Sequence, residues 1–374
     1  MTKAVSLSNS LMVNESMKKI SVTRAVQLLQ CARKGSMMDR NEFDWLTLPT
    51  AEAQSLGTVS HKLSEEVDAG LFDQISDDDL SDTVLIRWNE LVDLAFEQMK
   101  SQSLFGSPAA PKRWPYFVIK QAAALDRAAF RRLKRGQGGG ARRPEVEIFL
   151  ESEALALFGR ADKIEFLGDD VRVVDLKTAA NPGGTIPVAY QYQLLLYAAM
   201  WGEMTGKFPT SIVIEWQDGS RTFRDVNQSD IDEITLRLNQ VRLQTVSSNV
   251  PVGSVDEDIC RYCNYRTLCP QFQVFDRDTW VRQAPFIVGT IDQIVEAHHD
   301  RSIVVRTVSS QPAHLERTVV HKFPIAGVIA IGDFVIFDQL SWRGGEGNFD
   351  VVWNTRYRNF GRKIPYEIEN LLRT

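Results

Sequence analysis

The pattern of apolar and polar residues predicts helices first and strands afterwards. Apolar residues recur at helical spacing over residues 20–35, and amphipathic helices are predicted over 83–102 and 115–135. Residues 145–179 instead form three short β-branched runs separated by turn residues, which is typical of a strand meander. The change of period indicates a mixed α/β domain.

The same domain continues with alternating elements. The pattern predicts a strongly apolar helix over 188–206 and a β-hairpin over 211–226. A further helix is predicted to begin at Ser229, with Asp232 three positions later completing a weaker version of a capping box.

Residues 286–354 have a different pattern, with five short strand-like runs, polar connections and little helix. Such a set predicts a small β-barrel, with an OB-fold as the first interpretation. Aromatic residues in this region could stack on single-stranded DNA, although core packing is their more frequent role. They are Trp280, Phe286, Phe334, Trp342, Trp353, Tyr357 and Phe360.

Composition is ordinary for a globular protein. The chain has 374 residues, of which 44% are hydrophobic and 24% charged, so it can bury a core and is long enough for two or three domains. It lacks the run of about 18 apolar residues that crosses a bilayer. Its first residues lack the layout of a signal peptide. These features predict a cytoplasmic protein with no membrane partner.

The net charge of −5 hides a cluster of cations around a glycine-rich turn at 136–140. These cations could contact a phosphate backbone, or they could be the solvated end of a helix, and both interpretations stay open. The candidate DNA-binding residues are Arg131, Arg132, Lys134, Arg135, Arg142 and Arg143.

Candidate catalytic residues lie in the segment 159–179. Asp175 and Lys177 alternate onto one face of a predicted strand, and Asp162 comes from the strand before it. Two convergent carboxylates suit Mg²⁺ or Mn²⁺, and a neighbouring lysine could orient or deprotonate a water that attacks a phosphodiester. Taken alone, an Asp-x-Lys pair is more often an exposed hairpin pair.

Other polar residues flank this segment along the chain. His61 follows Gly57 and is predicted to open a helix, while Gln193 and Tyr197 share one face of the 188–206 helix. Each could be an ordinary surface residue. Their order along the chain makes a common site the stronger hypothesis.

The chain has four cysteines, Cys31, Cys260, Cys263 and Cys269. In a cytoplasmic protein such residues are unlikely to form structural disulfides, but four thiolates can bind zinc or a 4Fe–4S cluster. Zinc sites more often use two close pairs. One distant cysteine with three clustered ones is unusual for zinc, so zinc is the lesser alternative and both groups stay open at this point.

In this order, G-x-x-x-H, G-R-x-D, V-V-D-x-K-T and Q-x-x-x-Y resemble the RecB-type branch of the PD-(D/E)XK nuclease superfamily. The cysteine spacing is similar to that of its iron–sulfur members, among them the AddB-type and CRISPR-associated adaptation nucleases. The resemblance implies a restriction-endonuclease-like α/β core, a mixed sheet flanked by helices. The expected organisation is an N-terminal tail at 1–19, a nuclease domain at 20–272 with a helical insertion at about 62–140, and a β-barrel at 276–374.

The resemblance also implies a role for each candidate residue. Lys177 would be the catalytic lysine. Gln193 and Tyr197 would support this lysine and the DNA backbone. A glutamate before the first core strand is common in the family, and Glu145 and Glu147 both qualify. The four cysteines would hold a structural 4Fe–4S cluster. The implied metal ligands are His61, Asp162, Asp175 and the main-chain carbonyl of Leu176.

The implied function is a Mg²⁺- or Mn²⁺-dependent deoxyribonuclease, an exonuclease on single-stranded or frayed DNA that acts in repair, recombination or defence against mobile elements. The sequence contains no G-x-x-x-x-G-K-[ST] ATP-binding motif, so a separate helicase is the expected partner. The alternative is a nuclease-fold DNA-binding subunit that is active only within a larger helicase complex.

Overall fold

A computed structural model of the chain falls into two compact units. The first comprises Met1–Leu29, Ser64–Gln74 and Arg127–Gln244, and the rest of the chain forms the second. The domain boundaries expected from the sequence stay predictions. The structure describes residues 18–38, 52–102, 107–137, 145–177, 181–216, 219–247, 251–254, 256–260, 263–273, 285–296, 300–311, 315–324, 328–344, 347–352, 355–362 and 364.

Among the described residues, the helices of the first unit alternate with strands along the chain. The helices of the second unit come before the strands of its sheet in the sequence. None of the described helices is both long and apolar enough to cross a membrane. In chain order they are α1 (Val22–Gln30), α2 (Ala32–Met37), α3 (Glu52–Ala69), α4 (Asp77–Gln102), α5 (Phe117–Gln137), α6 (Val188–Thr205), α7 (Gln228–Ser247), α8 (Glu257–Cys260) and α9 (Pro270–Gln273).

The first unit is built on a mixed six-stranded sheet. Its strands are β1 (Ile20–Ser21), β2 (Glu145–Ser152), β3 (Leu157–Leu167), β4 (Asp170–Lys177), β5 (Ser211–Trp216) and β6 (Arg221–Asp225). They lie in the order β1-β3-β4-β5-β6, with β2 also paired to β3. Strands β3 and β4 are antiparallel, whereas β4 and β5 are parallel and joined through α6. The expected meander and hairpin are confirmed.

Helix α6 packs its apolar residues against this sheet. Its central residues from Leu194 to Gly202 are buried, and they share one core with α1 and with β3, β4 and β5. The helix ends where Gly206 adopts a left-handed conformation at φ 72°, which closes the last turn without steric cost. The predicted helix over 188–206 is confirmed, and it positions the residues on its sheet-facing side.

Two expectations about helix boundaries were wrong. The helix expected over 20–35 is broken at Cys31, whose backbone is extended at φ −155° and ψ 108°. An extended residue cannot continue the helical hydrogen-bond ladder, so α2 begins after it. Helix α7 begins one residue before Ser229. Asn227 and Asp230 cap it reciprocally, with N–H to side-chain oxygen distances of 3.0 and 3.1 Å, because an Asn side chain is a strong N-cap.

The second unit contains a seven-stranded sheet that curls into a half-barrel. The expected OB-fold is not confirmed. The sequence pattern missed two of the strands. Ser341–Trp342 has only two residues, and Arg356–Asn359 lies beyond the last expected run. The strands are β7 (Phe286–Glu296), β8 (Arg301–Gln311), β9 (Arg317–Phe323), β10 (Phe334–Asp338), β11 (Ser341–Trp342), β12 (Asn348–Asp350) and β13 (Arg356–Asn359), in the order β11-β12-β9-β8-β7-β10-β13.

Most of the aromatic residues considered for DNA stacking belong to the core of this unit. Phe286 is 0% exposed and Phe334 2% exposed, and Tyr357 and Phe360 pack against buried clusters. Trp342 is partly exposed at 40%. The remaining two, Trp280 and Trp353, lie outside the described residues.

A network of buried charges stabilises the sheet of the first unit. The fully buried Lys163 ammonium lies 3.0 Å from the Glu215 carboxylate, 3.5 Å from Glu165 and 3.8 Å from Asp68. Arg221 donates two hydrogen bonds of 2.9 and 2.7 Å to Glu165. Each buried charge thus has an opposite charge beside it, which offsets the cost of removing it from water.

Replacing Lys163 with Met should strongly destabilise the first unit. The substitution leaves the buried carboxylates without their central cation, and breaking a buried pair from one side costs about 3–5 kcal/mol. Chemical unfolding followed by circular dichroism would measure the loss. Lys207→Met is the control, because Lys207 is half exposed and lies 3.9 Å from Asp169. Its effect should stay below about 0.5 kcal/mol. Equal effects would contradict a stabilising role for the network.

Candidate active site

The candidate site is built on strand β4, where side chains alternate between the two faces of the sheet. Val173 packs into the core shared with α6, so Asp175 and Lys177 face the same helix. Asp175 is only 3% exposed, and its Oδ2 lies 2.6 Å from the Lys177 ammonium. The Asp–Lys pair therefore joins a buried carboxylate to a half-buried ammonium and is not an exposed hairpin pair.

Gln193 on α6 connects to both members of this pair. Its amide Nε2 donates to Asp175 Oδ1 at 3.1 Å, and its Oε1 accepts from the Lys177 ammonium at 3.4 Å. A single side-chain amide thus holds a carboxylate and an ammonium in a fixed relation.

Asp162 on β3 is placed beside the pair by strand register. Lys163 pairs with Val174 across the two antiparallel strands, which puts Asp162 next to Asp175. Asp162 Oδ2 accepts a 2.8 Å hydrogen bond from the main-chain N–H of Leu176. The structure thus shows that the Leu176 N–H contacts Asp162. The expected role of the Leu176 carbonyl as a metal ligand stays a prediction.

Of the two candidate glutamates on β2, Glu147 lies near Asp162. Carboxylate oxygens of these two residues lie within 4.8 Å of each other. Glu147 has a positive φ of 52°, a conformation that is costly for a non-glycine residue and that clusters at functional sites. Two carboxylates at this distance could bind a hard divalent cation such as Mg²⁺ or Mn²⁺.

The surroundings of Lys177 favour its charged form. Burial alone would lower the pKa of Lys177. The Asp175 carboxylate, and after it Asp162, raise the pKa by a larger amount, so the net shift is upward. The ammonium also lies 4.3 Å from the ring centroid of Tyr190, a cation–π contact. Sequence reasoning missed Tyr190, although its position one helical turn before Gln193 could have indicated it.

Tyr197 lies on the same helix and packs against β3. Burial, followed by the charges of Asp162 and Asp175, raises the pKa of Tyr197, so the phenol stays protonated. A Cβ atom at Gly159 would lie 2.9 Å from the Tyr197 ring carbon Cε1. The glycine of the G-R-x-D segment therefore has a packing reason, since it lets this ring approach the strand.

The other predicted residues are placed less completely. His61 lies in the middle of α3 and is half-buried, so the expectation that it opens a helix was wrong. Four basic candidates, Arg131, Arg132, Lys134 and Arg135, belong to the last turns of α5. Arg142 and Arg143 lie outside the described residues.

All four cysteines line one cavity of the second unit. Cys31 comes from the break between α1 and α2, and Cys260 is the last residue of α8. Cys263 and Cys269 follow within the same short segment, and each main-chain N–H closes a turn, onto the Cys260 and Arg266 carbonyls respectively. Cys31 thus lines the same cavity as the three cysteines from which it is far along the chain.

Two of these cysteines, Cys31 and Cys260, are buried, and the other two are half-buried. Burial raises the pKa of Cys263 to about 12, and Cys31 and Cys260 act in the same direction. Burial also raises the pKa of Cys269. A Cβ atom at Gly253 would lie 3.3 Å from Cys269 Sγ. The cavity therefore has four sulfur donors in its lining, with the Gly253 main chain close to one of them, and sulfur is the donor that metal–sulfur groups use.

Comparison with known proteins identifies the class. Residues 19–270 match the model of the PD-(D/E)XK nuclease superfamily, and the chain belongs to this superfamily. Its mixed sheet flanked by helices is consistent with that core. The chain is therefore a nuclease-type hydrolase whose class acts on DNA. No curated protein matches the chain.

Two solved structures show some similarity to the chain. A protein from Eubacterium rectale described as a "putative exonuclease" is 13% identical, with a TM-score of 0.37, over 74% of this chain and 96% of the other. The protein SSO0001 is 14% identical, with a TM-score of 0.27, over 57% and 97%. These likenesses are too low to support a functional conclusion.

Replacing Gln193 with Met should lower nuclease activity by about 10- to 100-fold, as loss of a supporting hydrogen-bond partner commonly does. The substitution keeps the helix and the volume but removes both hydrogen bonds to Asp175 and Lys177. Initial cleavage rates would be measured at equal protein concentration. Gln191→Met is the control, because Gln191 lies on the same helix and bonds the Ile186 carbonyl and Arg224 instead. Equal rates in the two variants would contradict the role of Gln193.

Proposed function

We propose that the chain is a Mg²⁺- or Mn²⁺-dependent deoxyribonuclease that hydrolyses phosphodiester bonds at the β3–β4–α6 site. The observation that carries this proposal is the buried arrangement of Asp175, Lys177 and Gln193 beside Asp162, in a chain that belongs to the nuclease superfamily. A superfamily member that retained only the fold would have no need to keep a desolvated carboxylate–ammonium pair of this kind.

The donor set fits a hard divalent cation. We assign Asp162 and Asp175 as its ligands, with Glu147 as a further carboxylate, and with His61 and the Leu176 carbonyl added by the family resemblance. A cation bound there would neutralise phosphate charge and lower the pKa of a bound water. Lys177, held in its charged form, orients that water or stabilises the charge that develops on the phosphate. Gln193 fixes the position of the lysine, and the buried Tyr197 supports the site from the core of the unit.

We further propose that the substrate is single-stranded or frayed DNA degraded from an end, with a separate helicase as partner. The basic candidates Arg131, Arg132, Lys134, Arg135, Arg142 and Arg143 would contact the phosphate backbone. We also propose a cytoplasmic role in DNA repair, recombination or defence against mobile elements, as the family resemblance implies.

Cleavage of end-labelled DNA tests the proposal. The anaerobically purified full chain should cleave single-stranded DNA with Mg²⁺ or Mn²⁺ and be inactive with a chelator. Asp175→Asn and Lys177→Met should each reduce cleavage to the level seen with the chelator. The size of the labelled product would report whether cleavage begins at an end.

Asp170→Asn is the matched control, because Asp170 begins the same strand and is exposed. It should cleave like the unaltered chain. Undiminished cleavage by the Asp175→Asn protein would overturn the catalytic assignment. Cleavage that appears only after a helicase is added would favour the alternative of a partner-dependent subunit.

We propose that the four cysteines hold a structural 4Fe–4S cluster. Four thiols that line one cavity, with one contributed from far along the chain, support this assignment. The buried Arg33 in the same cavity supports it as well, because a cluster ligated by four thiolates is anionic. The bound group would tie the segment around Cys31 to the segment around Cys260–Cys269.

Anaerobically purified protein should contain about four iron atoms and four sulfide ions per chain and absorb visible light. Cys263→Ser should lose most of the iron, whereas Asp175→Asn should retain it. Metal analysis by mass spectrometry together with visible absorption would check both. About one zinc ion per chain without sulfide would establish the alternative. Absence of both metals would contradict the assignment of the cysteines.

A further inference from the structure

The segment that carries Cys263 and Cys269 is anchored to the C-terminal sheet by buried charges. Arg266 lies between these two cysteines, and its guanidinium is 1% exposed. Its Nη2 donates a 2.7 Å hydrogen bond to Asp338 Oδ1, and Asp338 is the fully buried last residue of β10. A charge-assisted bond in a dry environment is a strong and directional anchor.

A second guanidinium ties the main chain of the same segment to the same carboxylate. Arg356 on β13 lies opposite Asp338 in the β10–β13 register and is paired with its Oδ2. Arg356 Nη1 also donates a 2.9 Å hydrogen bond to the main-chain carbonyl of Asn264, the residue after Cys263. Asp338 is thus contacted by one arginine from the cysteine segment and one that holds the segment's backbone.

The Asp338 carboxylate is charged in this environment. Burial acts to raise the pKa of Asp338, but Arg266 and then Arg356 lower it, and the main-chain N–H of Gln339 lowers it further through a 2.8 Å bond. The net shift is downward. A neutral carboxyl would satisfy neither arginine fully, so the anchor depends on this charge.

Apolar packing joins the same two parts. Cys260, Leu268 and Phe272 lie in one buried cluster with Phe286 and Phe334 of β7 and β10. The cysteine segment is therefore held on the C-terminal sheet by its side chains, its main chain and its core residues.

We propose that the C-terminal half-barrel is the support on which the cysteine segment is shaped for its metal–sulfur group, with Asp338 as the positioning residue. Asp338 does not touch the group. It fixes Arg266 and, through Arg356, the Asn264 carbonyl, and so sets where Cys263 and Cys269 present their sulfur atoms. This inference rests on the proposed cluster and gives the C-terminal sheet a function distinct from DNA stacking.

Two full-length variants test the proposal. Asp338→Asn keeps the shape of the carboxylate but removes its charge. Arg356→Lys keeps a positive charge, but a single ammonium cannot hold Asp338 and Asn264 as the planar guanidinium does. Asp350→Asn is the control, because Asp350 is a partly buried carboxylate of the same sheet that pairs with Lys322 and Arg343.

Each protein would be loaded anaerobically and its visible absorption followed after a chelator is added, at a temperature where its circular dichroism is unchanged. Both test variants should lose iron about 10- to 100-fold faster than the unaltered chain, as outer-shell substitutions commonly do. The control should lose iron at the original rate. The visible absorption spectrum of the freshly loaded proteins is compared as well, because a change in the placement of the sulfur ligands alters it whereas a loss of stability alone does not.

The possible outcomes separate the two proposals. Loss rates in both test variants equal to the control would overturn the role of Asp338 and leave the cluster assignment intact. An unaltered chain that takes up neither iron nor zinc would overturn the cluster assignment, and the role of Asp338 with it. If Asp338→Asn fails to fold, Arg356→Lys decides alone, since it retains the ion pair with Asp338.

Discussion

The alternation of side chains along β4 is the constraint on which the first unit depends. Asp175 and Lys177 face α6, whereas Val174 and Leu176 face the other way. One strand can therefore present a carboxylate and an ammonium to the site while its neighbouring residues pack in the sheet. A shift of one residue in register would bury Leu176 at the site and move both charges to the opposite face.

Buried charges serve different purposes on the two faces of this sheet. On the α6 side, Asp175, Lys177 and Gln193 form a small group whose members could contact a metal ion and a phosphate. On the other side, Glu215 is next to Leu176 in the parallel register and forms an ion pair with Lys163. Every charge in that network belongs to a protein side chain, so the network stabilises the strands. The candidate catalytic residues lie on the α6 side.

The second unit uses the same principle around its cysteines. A cavity lined by four thiols needs its ligands held in place before a metal–sulfur group can bind, and short loops rarely achieve this alone. In our proposal Asp338 provides this fixed point, because it ends a strand that is paired on both sides and it accepts hydrogen bonds from two arginines and a main-chain N–H. We therefore infer that the C-terminal sheet serves as the support of the cysteine segment.

Local sequence patterns predicted the strands and the α6 helix well, because a period of two or of 3.6 residues directly reflects burial on one face. The grouping of Asp175, Lys177 and Gln193 could also be predicted, since their spacing places them on two facing elements. The break at Cys31 could not, because the helical apolar pattern continues across it. The Arg266–Asp338–Arg356 contact was equally hidden, since it joins residues 72 positions apart.

Other features were missed because they depend on approach in three dimensions. Gly159 gains its meaning only from the Tyr197 ring packed against it, and the choice of Glu147 over Glu145 depends on a backbone conformation that no residue pattern encodes. Strand β11 has only two residues and β13 only four, too few to show a clear period.

The most direct test of the central claim is a crystal structure of the full chain soaked with Mn²⁺, with anomalous maps recorded at an X-ray energy between the manganese and iron absorption edges. The account predicts a manganese peak within bonding distance of the Asp162 and Asp175 carboxylates, on the face of β4 that also carries Lys177. A protein that cleaves DNA but binds manganese elsewhere, with neither carboxylate as a ligand, would contradict it.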